Sequence, residues 1–87
     1  MRVFIVVATI TPPKVGEAIT SLKLANYPLR SDAWLVASES TTRELAEKLG
    51  IRGGENGAGL VCLIEGYSGR LVKDAWEWLA LHEAKSE

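Results

Sequence analysis

The chain has 87 residues, a formal net charge of −1 and a single cysteine, Cys62. That length fits one domain, a lone cysteine excludes an intrachain disulfide framework and any cysteine-based metal spacing, and intermixed acids and bases without a basic excess disfavour nucleic acid as a partner. No stretch nears the roughly 18 apolar residues of a membrane span, and the start "MRVFIVVATI" lacks a small-residue cleavage motif, so it reads as a strand and not a signal peptide.

Residues 3–10 are rich in valine and isoleucine, which favours a strand. Val3, Ile5 and Val7 alternate with Phe4, Val6 and Ala8, so both faces are apolar and both want cover. Next comes "TPPKVGEAITSLKLAN". Thr11 suits an N-cap and Pro12 the first helical position. Val15, Ala18, Ile19, Leu22 and Ala25 fall at helical spacing, with Asn26 as the expected stop. Residues 29–31 read as a short strand and 33–39 as another, with Asp32 at the kink between them. Trp34 and Val36 share one face of the second strand, opposite Ala33, Leu35 and Ala37.

The helix signal in "STTRELAEKLGIRGG" is the clearest: Thr41 and Glu44 form a capping box, and Gly50 before Ile51 predicts a Schellman stop. "GGENGAG" reads as a connection, since no helix follows it to present N–H groups to a phosphate. Residues 60–65 predict a strand, with Cys62 packed as a small core hydrophobe. A final helix is expected over 70–86, its inner stripe Val72, Ala75, Trp76 and Leu79, with the last few residues frayed. The order β-α-β-β-α-β-α predicts an α+β fold: a ferredoxin-like βαββαβ sandwich over residues 1–66 plus an additional C-terminal helix over 67–87. Two helices cover one sheet face, so either the third helix or a partner chain must cover the other.

The stretch "YPLRSDAWLVASESTTRELAEKL", with "AWLV", then Thr-x-x-Glu-Leu, a strand, and a helix ending in "WEWLALH", resembles a known group. It is similar to the small CRISPR-associated adaptation nucleases, the virulence-associated D ribonucleases and, most of all, their SinR-labelled relatives. The resemblance implies a ferredoxin-like homodimer. In the nuclease members an aspartate at the end of the first strand holds a divalent metal across the dimer axis, and the matching position here is about Thr9. Magnesium needs hard, charged oxygens, which Thr9 and Thr11 do not supply.

No catalytic residue, metal ligand or cofactor is therefore assigned. The candidate site at the strand ends comprises Thr9, Thr11, Asp32 and Glu39, its carboxylates, like Glu65, reading as solvated turn or edge groups. His82 suits the end of a helix, where a cation favours the dipole. Ser40 and Ser68 read as cap or turn residues, and Ser38 lacks a nucleophile elbow. Trp34, Trp76 and Trp78 read as core or interface groups, and Phe4, Val6, Trp34 and Val36 form the expected dimer interface. The functional expectation is a cytoplasmic, non-catalytic dimeric interaction module without a membrane partner. The alternatives are a divalent-metal-dependent endonuclease, acting on RNA or DNA at a displaced site, and a small-ligand-binding regulatory domain.

Overall fold

The computed structural model describes residues 2–82. Strands β1 (Arg2–Ala8), β2 (Ala25–Arg30), β3 (Ala33–Ser38) and β4 (Gly59–Leu63) form one antiparallel sheet in the order β2-β3-β1-β4. Helices α1 (Pro12–Ser21), α2 (Thr42–Lys48) and α3 (Lys73–Leu81) complete an α+β fold. The part of the expected final helix beyond residue 82, and the expected fraying, lie outside the described residues.

β1 is a run of apolar, mostly β-branched residues after Arg2, and it pairs with β3 on one side and β4 on the other. Its alternating side chains feed two cores. On the first face Phe4, Val6, Trp34, Val36 and Val61 meet Val15 and Ile19 of α1 and Leu45 and Leu49 of α2. Burying a side chain of this size contributes about 1.5–3 kcal/mol. On the second face Val3 and Leu35 pack with Leu79 of α3, flanked by Tyr27, Leu29, Trp76 and Trp78.

This arrangement corrects the expected interface. Phe4, Val6 and Val36 are fully buried and Trp34 is only 8% exposed, all beneath the chain's own helices, so none is available to a partner. Gly16 explains how α1 gets close enough: a Cβ there would sit 3.2 Å from the Trp34 indole. The missing side chain, which costs helix propensity, makes room for the ring.

Several boundaries also move. α1 stops at Ser21 because Lys23 takes a left-handed conformation, φ 55°, and turns the chain early. Leu22 is therefore exposed, and Ala25 and Asn26 belong to β2, which is longer than the expected 29–31. Pro28 is tolerated because β2 is an edge strand. Thr11 precedes α1 at φ 49° without a capping hydrogen bond from its side chain. Val72 is 65% exposed and sits before α3 instead of within its inner stripe, which is Ala75 and Leu79. Cys62 is exposed, not core, because β4 is the other edge and Cys62 alternates with buried Val61.

α2 behaves as its sequence predicts. The Thr41 hydroxyl accepts from the Glu44 N–H at 3.2 Å, and Glu44 Oε1 accepts from the Thr41 N–H at 3.0 Å. At the other end Ile51 N–H donates to Ala46 O and Gly50 N–H to Glu47 O, with Gly50 at φ 73°, which completes a Schellman motif. The Thr41 backbone hydrogen bond, then the Thr41 side chain, holds the Glu44 carboxyl below its ordinary range. A carboxyl lowered in the folded state stabilises it above the unfolded pKa, and that contribution fades as pH falls through the folded value.

Thr41→Ala is expected to cost about 1 kcal/mol, seen as a fall of roughly 4–8 °C in melting temperature for a domain of this size. Glu44→Gln should flatten part of the stability loss that sets in below about pH 5, where the carboxyl begins to protonate, measured by thermal melts from about pH 7 down to about pH 3.

Candidate functional site

The end of β1 gathers three of the four residues expected at the strand ends. Ala8 N–H donates to Asp32 O at 2.8 Å, which sets the β2–β3 turn beside the end of β1. Thr9 N–H donates to Ala58 O at 2.8 Å, and the Thr11 hydroxyl donates to Asn56 O at 2.8 Å. Thr9, Thr11 and Asp32 thus share one end of the sheet. Glu39 does not join them: β3 runs antiparallel to β1, pairing Ser38 with Arg2, so Glu39 lies at the opposite end. Glu65, just past β4, lies there too, since Leu63 pairs with Phe4.

Contacts at the β1 end run to neighbouring turn and loop groups. The Asp32 carboxylate lies 3.6 Å from the Arg30 guanidinium. The threonine hydroxyl at Thr11 is committed to the glycine-rich loop. Asn56 centres that loop, donating from its side chain to Leu49 O and from its N–H to Gly50 O, each at 2.8 Å. Gly57 is required at φ 97°, where a Cβ would meet Thr11 Oγ1 and Ile10 O. The loop is thus a buttress between α2 and the end of β1, a role Asn56 carries and its sequence context does not announce. Among the described residues no three His, Cys, Asp or Glu side chains converge as a metal would require.

The remaining expected residues have local partners. His82 Nδ1 lies 2.9 Å from Trp78 O, and its ring stacks on Trp78 with centroids 4.1 Å apart. Ser38 Oγ accepts from Ser40 N–H, and Ser40 Oγ accepts from Lys48. These pairings hold turns and helix ends in place.

Two surfaces are less fully used. The first is the β4 edge. Ile64 N–H donates to Val3 O, so antiparallel alternation turns the Leu60 and Cys62 N–H groups toward β1 and those of Val61 and Leu63 away from it. β4, "GLVCL", carries no charge and no proline. Leu60 is 59% exposed and Leu63 and Cys62 are also exposed. A groove of about 490 Å3 runs between β4 and α2, with Arg43 and Arg52 along it. Both guanidiniums turn to Glu47, at 3.3 and 3.6 Å. By contrast the β2 edge is blunted by Pro28 and an irregular register between Pro28 and Arg30.

The second surface is a half-open cleft of about 340 Å3 between α3 and the sheet. Ile5, Leu29 and Leu35 form its floor, Trp76 and Leu79 a wall, and residues 67–71 its rim. Tyr67 stacks on Trp76 with ring centroids 5.6 Å apart. α3 therefore covers only part of the second face. No helix among the described residues is long and apolar enough to cross a membrane.

No family model, no curated protein and no solved structure matches the chain.

With Asp32 paired to Arg30 and no group of three potential metal ligands among the described residues, no cleavage of RNA or DNA is expected with magnesium or manganese at about 10 mM, ions held by carboxylate oxygens. A gel assay checks this; cleavage lost in Asp32→Ala would contradict it.

Proposed function

We propose that the chain is a non-catalytic, ferredoxin-like interaction module that works as a homodimer, two copies joining through β4. The strand order β2-β3-β1-β4, with helices after β1 and β3, supports the ferredoxin-like reading. It also keeps the likeness to the SinR-labelled proteins as a working comparison, without their nuclease relatives' first-strand acid.

The observation that carries the reading is the asymmetry of the two sheet edges. An open edge offers unpaired N–H and C=O groups to any extended chain, and proteins usually blunt it with charge, proline or a bulge. β2 has these devices and β4 has none. The second copy is the natural occupant: a two-fold axis sets two identical β4 edges antiparallel, which satisfies Val61 and Leu63 in both chains with one contact. The exposed Leu60 and Cys62 side chains would then meet their counterparts across the junction.

Light scattering after size exclusion at about 50 μM, a concentration suited to a modest isologous interface, should return twice the chain mass. Cys62→Lys sets like charges near one another across the axis and should return the single chain mass with an unchanged circular dichroism spectrum. A wild-type monomer would defeat the proposal.

A further inference from the structure

We infer that the cleft under α3 binds a small aromatic carboxylate, its ring on the apolar floor and its carboxylate on Arg70. This site is separate from the Val61 and Leu63 edge groups of β4, neither of which lines it; Ile64, just past the strand, does.

The volume sets the ligand's size. A cleft of about 340 Å3 lies at the small end of ligand-pocket sizes and suits a single-ring molecule. The lining sets its body. Ile5, Leu29, Leu35 and Leu79 give an apolar bed, and the Trp76 indole adds a flat aromatic wall. Aromatic rings favour offset or edge contacts with such a wall.

The rim sets its charge. Arg2 donates to Ser40 O, Arg30 faces Asp32, and Arg43 and Arg52 share Glu47. Arg70 alone among the arginines of the described residues has no ion-pair or side-chain hydrogen-bond partner, and it lines the cleft. Among the described residues no other charged residue lines it, so the cleft is an apolar space with one basic residue in its lining. A planar guanidinium matches a carboxylate in a two-point hydrogen bond. A cation would be opposed by the Arg70 charge, and an uncharged ligand would leave Arg70 unused.

The test uses 3-phenylpropionate, which joins one aromatic ring to one carboxylate, the two groups argued from the cleft. Its uncharged analogue 3-phenylpropan-1-ol is the control. In 15N–1H correlation spectra of the full chain, the acid should shift the Trp76 indole N–H and the amides of residues 67–71. Ligands of this size bind with dissociation constants on the order of 1 mM. The alcohol should bind several-fold more weakly. Arg70→Gln should weaken the acid about tenfold, a loss in line with a charge-assisted pair at a partly exposed rim, and leave the alcohol unchanged. Arg70 is exposed, so an unchanged melting temperature should accompany that loss. Equal binding of acid and alcohol, an acid affinity indifferent to Arg70→Gln, shifts confined to other residues, or no shifts up to about 10 mM would each overturn the assignment.

Discussion

β1 is apolar on both faces, and the rest of the molecule answers to that fact. Phe4 and Val6 vanish into one core while Val3 enters the other, so no single layer of helices can satisfy the strand. Its hydrogen-bonding edges are equally committed, to β3 and β4. α1 and α2 close the first face over Phe4, Val6 and Val36 because Gly16 lets α1 approach Trp34 and because Leu45 and Leu49 project from a helix fixed at both ends. The capping box and the Schellman motif therefore serve the core: they hold a seven-residue helix, too short to be stable alone, where its leucines are needed.

The second face is closed less completely, and the unused capacity concentrates there. α3 reaches Val3, Leu35 and β2 through Leu79 and its tryptophans, but Ile5 and Val7 remain half-buried and Leu60 and Cys62 open. A short domain is stable by only about 5–15 kcal/mol. Exposed apolar surface on that scale is a burden unless something uses it. The two proposed uses are compatible because they would occupy different places: strand pairing along β4, and a small ligand between α3 and the floor of the sheet. Neither calls on the end of β1, where Thr9, Thr11 and Asp32 are tied to turn and loop backbones.

Local signals were legible in the sequence and tertiary ones were not. The α2 termini could be read because each motif is contained within a few residues of chain. The alternation of β1 and β3 could be read too, and it sorted Trp34 with Val36 correctly. Which face the helices would cover is not in the alternation, so the expected interface fell on the buried side. Leu22 and Ala25 continue the helical spacing of α1, and only the left-handed turn at Lys23 reveals that β2 has begun. Cys62 looks like core because "LVCLI" is uniformly apolar; its exposure follows from β4 being an edge, a property of strand order. The grouping of Thr9, Thr11 and Asp32 was legible from the strand ends, whereas Glu39 separates because β3 runs antiparallel to β1. Arg70 stands out only once the partners of every other arginine are known.

The claim that β4 continues into a second copy is tested most directly by hydrogen exchange at single amides. Leu60 and Cys62, whose N–H groups face β1, provide the internal standard for a protected strand. At about 100 μM, where a modest isologous contact is populated, the Val61 and Leu63 amides should exchange as slowly as that standard. Rapid exchange at Val61 and Leu63 beside slow exchange at Leu60 and Cys62 would mean that the edge stays open to water, and would contradict the account.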